Sequence, residues 1–493
     1  MWTDEKSHFR YILSVQLRTS IVIDRRHTAP LHRQIYEQWR AGILGGRFAP
    51  GDRMPSTREL AVALKVSRAT VATAYDQLMA EGYLDTQHGS GTFVCRDLPD
   101  VAVHATTAAT PAKARAVSTP TRVSAFASRL APVTWRGPAA SRVINLSTDG
   151  PTFDQFPFDV WKRLVRRHLQ ALGPSLFQYA KHGAGHPALR DTLAAYLGRS
   201  RAVQCTADQV VVVSGSQQAL DLCARILIDP GDEVAVEDPG YLGARELFAA
   251  SGARIRPVPV DRDGLVVSAL PPAARLVYIT PSHQFPLGVS MSLARRLELV
   301  GWARTRGAVI VEDDYDSEYR YSGAPLPALQ GLTAGAGVVY VGTFSNVMFP
   351  GLRLGYLVLP SDLVEPFQRT KWLADRHTAY LEQAAMADFI REGHMERHIR
   401  RMRRVYKRRR EAFLDAVTRA FGDRATVAGD ASGMHLVVRF DVPGIAARAA
   451  RGGVHLVSTR GYYAGDAPAQ EFIVRFTGLS ERGIREAVKR LAG

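Results

Sequence analysis

The chain has 493 residues, 46% of them hydrophobic, which is enough for two or three domains around a large buried core. Its formal charge of +16 favours a polyanionic partner, but lysine supplies only eight of the 63 basic residues. An arginine-rich composition explains the charge equally simply, so any DNA-binding reading has to rest on motifs. Three scattered cysteines, Cys95, Cys205 and Cys223, form no CxxC pair, which argues against a zinc or other metal site and against a disulfide framework, and fits a cytoplasmic location. No apolar run approaches roughly 18 residues and the N-terminus lacks a signal-peptide pattern, so neither a membrane span nor secretion is expected.

In chain order, residues 1–28 form a lead-in with no clear pattern, and residues 29–95 a compact patterned unit. Leu31, Ile35, Trp39 and Ile43 recur at four-residue spacing and predict a first helix over Leu31–Leu44. Pro50, Gly51 and Pro55 then turn the chain. Ser56 or Thr57 caps a second helix, TRELAVAL, and Ser67 caps a third, on which Val71, Ala74, Tyr75, Leu78 and Met79 face the core. The N-terminal end of the third helix, with Arg68, Ala69, Thr70 and Ala72, is the part that enters a major groove in helix-turn-helix proteins. YLDTQ, a Gly89-Ser90-Gly91 turn and TFVC predict a β-hairpin behind it.

Residues 96–140 are rich in Ala, Thr, Pro and Ser without apolar periodicity and are expected to be a flexible linker. From 141 to 493, apolar strand-like runs (QVVVVSGS, DEVAVEDPG, ARLVYITP, GAVIVEDDY, GVVYVGTFS) alternate with helical stretches, which implies a largely parallel α/β sheet.

Several residues of this region belong at strand ends, where open α/β sheets bind ligands. In VVSGSQQALDL a strand ends at Ser214, Gly215 permits close backbone approach, and Ser216 and Gln217 open a helix whose N–H groups favour an anion. Thr343 and Arg353 are further donors for the same anion. Asp313 ends the run VIVED and offers a carboxylate, with Glu312 and Asp314 as alternatives, and Tyr315 follows two residues on. Tyr241, in EDPGY, is a candidate aromatic plate. Arg475, in FIVRFTGLS, suits a ligand carboxylate because its guanidinium forms a fork. An anion cradle, a carboxylate opposite a ring nitrogen and an aromatic plate are three of the four things pyridoxal phosphate requires.

The N-terminal unit resembles the GntR family of winged-helix regulators. That resemblance implies DNA contacts by Arg58, Ser67, Arg68, Thr70 and the wing residues His88 and Gly89. With EDPGY, TPSHQFPLG, EDDYDSEY, LPALQGL, GTFS..FPGLRLGY and GHMERHIRRMRR, nearly the whole chain resembles the MocR subfamily, a winged helix-turn-helix domain (α+β) fused to a fold-type I aminotransferase-like α/β domain. The resemblance implies double-stranded operator DNA as partner, a head-to-tail homodimer, and control by pyridoxal phosphate with an amine or amino acid as effector. It also gives the basic helix from His394 to Arg410 an interdomain scaffolding role.

The pattern breaks at one position. Family members read GTFSK, whereas this chain reads GTFSN, so Asn346 stands where the Schiff-base lysine is expected. Asn346 has no ionisable amine and cannot act as a nucleophile or shuttle a proton, and Lys181 has no motif support as a substitute. Phe285 also stands where aminotransferases carry asparagine, followed by Leu287 after Pro286. Three readings follow for the pocket: noncovalent pyridoxal phosphate, a different phosphate or carboxylate compound, or a single altered codon at 346. The expected function is a regulator with a catalytically degenerate sensor. Its rivals are an active aminotransferase with an accessory DNA-binding domain and a constitutive DNA-binding dimer.

Overall fold

The computed structural model describes residues 21–87, 90–98, 122–130, 143–146, 150–171, 178–179, 183–323, 326–333, 337–429 and 431–493. The chain divides into two compact units, residues 1–121 and 122–493.

The first unit contains α1 (Leu31–Leu44), α2 (Thr57–Leu64), α3 (Arg68–Ala80), β1 (Leu84–Gln87) and β2 (Gly91–Val94). Ser56 caps α2 in a full capping box: its Oγ accepts from Glu59 N–H at 3.3 Å, and Glu59 Oε2 accepts from Ser56 N–H at 2.9 Å. Lys65 ends α2 in a left-handed conformation (φ 53°), and two residues later Ser67 Oγ accepts from Thr70 N–H at 3.1 Å to cap α3. Ile35, Trp39 and Ile43 pack with Leu60, Val71, Tyr75 and Leu78 into one buried cluster. Leu31 and Met79, expected on the same faces, are only half-buried, because they lie at the ends of their apolar stripes. β1 and β2 pair antiparallel from Leu84↔Val94 to Gln87↔Gly91, forming the expected hairpin. His88 and Gly89 lie outside the described residues.

Most of the stretch 96–140 also lies outside them, but α4 (Ala125–Arg129) falls within it. This turn of helix belongs to the second unit, where Arg129 Nε donates to the carbonyl of Ala250 at 2.9 Å.

Among the described residues of the second unit, eight strands form one sheet in the order β4-β11-β10-β9-β8-β5-β6-β7. They are β4 (Val210–Val213), β5 (Glu233–Asp238), β6 (Arg254–Asp261), β7 (Gly264–Leu265), β8 (Ala274–Ile279), β9 (Val309–Asp314), β10 (Val338–Thr343) and β11 (Gly355–Val358). β10, β9, β8, β5 and β6 run parallel, whereas β11 and β7 are antiparallel to their neighbours. All four valines of β4 and all six residues of β10 are buried, as expected for strands covered on both faces. Helices supply that cover, among them α5 (Phe158–Gln170), α6 (Pro187–Arg201), α7 (Ser216–Leu227), α8 (Leu242–Ala250) and α9 (Leu293–Arg306). A 28-residue helix, α10 (His394–Phe421), packs its apolar face on a smaller sheet with the order β12-β13-β16-β15 (Ala425–Ala428, His435–Phe440, Glu471–Arg475, Val457–Ser458). Its arginine-rich N-terminal half, where expected, leads from the large core cluster into the small one. β3 (Ile144–Asn145) and β14 (Val454–His455) form a short parallel pair beside that layer.

Candidate functional site

On the first unit, Arg58, Ser67 and Arg68 are exposed and Thr70 is half-buried. Arg68 Nε donates to Thr57 Oγ1 at 3.3 Å, which ties the start of α3 to the start of α2. The hydroxyls of Ser67 and Thr70 lie 2.8 Å apart at the α3 N-terminus, where free backbone N–H groups also attract phosphate. Ser67, Arg68 and Thr70 therefore gather at the start of α3 beside Thr57, and Arg58 is exposed next to Thr57 in the first turn of α2.

In the second unit, a cavity of about 370 Å³ opens at the ends of the parallel strands. Ser216, Tyr241, Asp313, Tyr315, Thr343, Asn346 and Arg475 all line it. Gln217 does not; its side chain reaches toward the Gly243 carbonyl at 3.4 Å. Arg353 packs on the turn below. Its Nη2 donates to the Ser214 carbonyl at 2.7 Å, and a Cβ on Gly215 (φ 87°) would meet that nitrogen at 2.6 Å. Glycine at 215 is required by its backbone angle, and any larger residue would also displace the Arg353 guanidinium lying against it.

β9 resolves the choice among its three acids. Glu312 is fully buried and accepts the N–H groups of Leu329 and Gln330 at 2.9 and 3.0 Å. Asp314 accepts from Arg201 Nε at 2.8 Å and from the Tyr340 hydroxyl at 2.6 Å. Only Asp313 faces the cavity. Its Oδ2 accepts from the Tyr278 hydroxyl at 2.8 Å, while Oδ1 is buried with no hydrogen-bond partner among the described residues. Burial pushes this carboxyl up to about 7, with Tyr278 opposing the shift and Asp314 and Asp316 adding to it. Behind it, burial also raises Glu237 to about 7, although Thr280 and Gln284 donate to it.

Asn346 donates through Nδ2 to the Tyr315 carbonyl at 2.9 Å, and the Tyr319 hydroxyl donates to the Asn346 carbonyl. The Tyr315 hydroxyl is held by the His283 carbonyl at 2.9 Å and lies 3.1 Å from His283 Nδ1. The Tyr241 ring folds back over Gly243, where a Cβ would come within 2.7 Å of it. Phe285, in the usual asparagine position, is the hub of an aromatic group: Tyr241, Tyr315, His435 and Tyr462 all meet it at steep angles, with centroids 5.2 to 6.2 Å apart.

Sequence reasoning did not find Tyr278, Thr280 or Tyr462, all of which line the cavity. The first two stand in the run YITP, where their facing was open to inference; Tyr462 arrives from a distant loop with no signal. Nor did it anticipate that His283, Asp316 and His435, far apart in sequence, gather ligand-type atoms within 4.8 Å of one another. Within this cluster His283 Nδ1 lies 2.9 Å from Asp316 Oδ2 and His435 Nε2 lies 2.9 Å from the Pro286 carbonyl, while His283 Nε2, Asp316 Oδ1 and His435 Nδ1 are buried without a hydrogen-bond partner among the described residues. The cluster buttresses the Tyr315 hydroxyl from behind.

Fold and site together define a protein class: a winged-helix DNA-binding unit joined to an aminotransferase-like unit with a cofactor-type cavity. Residues 31–94 match the family described as bacterial regulatory proteins, gntR family, and residues 141–491 match aminotransferase class I and II. The chain is 40% identical over 476 residues to the probable rhizopine catabolism regulatory protein MocR of Rhizobium meliloti, covering 96% of this chain and 95% of that protein. It is 34% identical to the transcriptional regulator TauR of Rhodobacter capsulatus (78% and 79% covered) and 30% identical to the pyridoxine biosynthesis regulator PdxR of Corynebacterium glutamicum (94% and 96%). Among solved structures, the kynurenine aminotransferase of Pyrococcus horikoshii superposes with a TM-score of 0.67 at 30% identity, over 71% of this chain and 90% of that one. The chain belongs to the MocR-type regulators of the GntR family, whose aminotransferase-like domain follows a DNA-binding winged helix. Among the described residues no helix is long and apolar enough to cross a membrane.

Proposed function

We propose that this regulator senses pyridoxal phosphate, held noncovalently, or an amino or carboxylate metabolite bound in the same cavity. The observation that carries this reading is the buried Asp313 Oδ1, which has no partner among the described residues although its carboxylate faces a ligand-sized space. An unpartnered buried acceptor is costly, and a protonated ring nitrogen would satisfy it. The remaining residues fit the same group. The Gly215–Ser216 turn with Thr343 would take the phosphate, Arg353 would brace that turn, Tyr241 would cover the ring and Arg475 would take an effector carboxylate. When bound, pyridoxal phosphate supplies an aldehyde on an electron-withdrawing ring. The chain offers no amine at position 346 to react with it; Asn346 instead fixes the Tyr315 backbone, so the site binds and orients without transferring a proton there. The relatives named as regulators support a regulatory rather than catalytic role.

Regulation follows if the occupied cavity changes how a homodimer presents its two winged helices to paired half-sites. Calorimetric titration of the full chain with pyridoxal phosphate tests the reading. Saturable binding that is lost in Asp313→Ala, with a visible absorption band only in Asn346→Lys, is the expected result. Binding only by Asn346→Lys would show that the residue at 346 removed cofactor sensing. Turnover of an amino acid by the unaltered chain would instead establish an enzyme.

A further inference from the structure

A second cavity, of about 570 Å³, lies in the same unit and shares no lining residue with the first. Five arginines and two glutamates line it. Two of the arginines are fully engaged: Arg201 with Asp314, Ser282 and the Leu326 carbonyl, and Arg296 with three backbone carbonyls. The other three are differently placed. Among the described residues Arg320 makes one long contact, from Nη1 to Ser290 Oγ at 3.5 Å, and its buried Nε has no partner. Among the described residues Arg403 donates only to the Glu318 backbone carbonyl, at 3.1 and 2.7 Å, and pairs with no carboxylate. Arg400 stands exposed on the same face of α10. Ser432, 3% exposed and joined to Arg320 by a backbone bridge, also lines the cavity with an Oγ that has no partner among the described residues.

We infer that this cavity is a second ligand site, which takes a compact phosphate-bearing anion on Arg320, Arg403 and Ser432. Unsatisfied buried donors facing an open space mark where an acceptor-rich group belongs. Five arginines outnumber the two lining glutamates, of which Glu396 keeps a buried Oε2 without a partner among the described residues. Burial, reinforced by Asp314, pushes Glu318 up to about 7, so near neutral pH it stands as a donor for much of the time. The site is wired to the first cavity through one segment. Asp313 and Tyr315 line the cofactor-type cavity, whereas Ser317, Glu318 and Arg320 line the second, and Asp314 between them grips Arg201. An anion that draws Arg320 inward acts on the strand end that carries Asp313. This reading stands independently of what the first cavity binds.

Calorimetric titration of the full chain with inorganic pyrophosphate, on the unaltered protein and on Arg320→Met, Ser432→Ala and Arg353→Met, tests the inference. Arg320→Met is expected to weaken binding at least tenfold and Ser432→Ala about threefold, with Arg353→Met leaving this event in place. Ser432→Ala removes a hydroxyl that makes no hydrogen bond among the described residues, so an unchanged melting temperature is expected and separates binding from folding. Binding lost only in Arg353→Met would place the anion in the first cavity alone and overturn the inference. Absence of pyrophosphate binding by the unaltered chain, or equal binding by all variants, would overturn it as well.

Discussion

In the DNA-binding unit, Arg58 and Arg68 stand exposed over a core of ordinary apolar side chains; in the aminotransferase-like unit, Asp313, Glu237 and Thr343 are buried polar groups at the tips of buried strands. The first arrangement separates stability from function, since an exposed arginine can be removed with little effect on folding. The second joins them, because each buried polar atom needs a partner and a ligand supplies one. Mutations should therefore sort cleanly in one unit and not in the other.

The largest effect is expected in the core of the DNA-binding unit. Trp39 is 1% exposed and packs edge-on against Tyr75. Trp39→Ala should destabilise this unit by about 3–5 kcal/mol, a large share of the roughly 5–15 kcal/mol that stabilises a native domain. Urea unfolding followed by circular dichroism should show an early transition with loss of DNA binding, while pyridoxal phosphate binding persists. Simultaneous loss of both would show that the units do not fold separately.

The next effect concerns Asp313 and breaks the comparison if it fails. The folded-state value near 7 lies above the ordinary value of about 3.9 for an unfolded aspartate. Between those values the native state holds a proton that the unfolded chain has released, so the contribution of Asp313 to stability falls as pH rises from about 4 to about 7. Melting temperatures of the ligand-free chain across that window should decline more steeply than those of Asp313→Asn. Saturating pyridoxal phosphate should flatten the difference, because a ring N–H stabilises the carboxylate. Parallel profiles for the two proteins would mean that Asp313 is already ionised and solvated.

The same contrast explains what could be read in the sequence. The bounds of α1, the caps at Ser56 and Ser67 and the hairpin are local events, written in periodicity and in short polar side chains beside the backbone they satisfy. The parallel strands were equally legible as valine-rich runs. In the cavity, residues at strand ends were recoverable because the sheet fixes where its ends point; that is why Asp313, Thr343 and Ser216 meet. The Tyr278 hydroxyl on Asp313, Tyr462 against Phe285 and Arg353 folded on Gly215 were not recoverable, since each joins residues far apart in the chain and no spacing encodes them. The side-chain direction of Gln217 was likewise not written in the sequence. Gln217 lies in the first turn of the cradle helix as expected, and its side chain turns toward the Gly243 carbonyl.

Arg68→Ala is expected to weaken DNA binding by about 1–3 kcal/mol while leaving melting nearly unchanged, as an exposed side chain with one 3.3 Å contact allows. Fluorescence anisotropy at two salt concentrations distinguishes its role. A uniform loss across sequences with a smaller salt slope would make Arg68 a phosphate contact, and a loss confined to one sequence would make it a base contact.

The smallest effect separates two serines with the same local job. Ser56 and Ser67 each accept an N–H three residues on, so replacing either with alanine should cost about 1 kcal/mol of stability in this unit. Ser56→Ala leaves the Glu59 carboxylate bonded to the backbone N–H at 56, so half of that capping box survives. If α3 carries the DNA contacts, Ser67→Ala should also weaken DNA binding, because it removes a hydroxyl beside Arg68 and loosens the N–H groups that face phosphate. Ser56→Ala should match it in melting temperature and leave affinity intact. Equal affinity losses in the two variants would move the DNA-binding edge from α3 alone to both helix N-termini, with Arg58 as the residue to replace next.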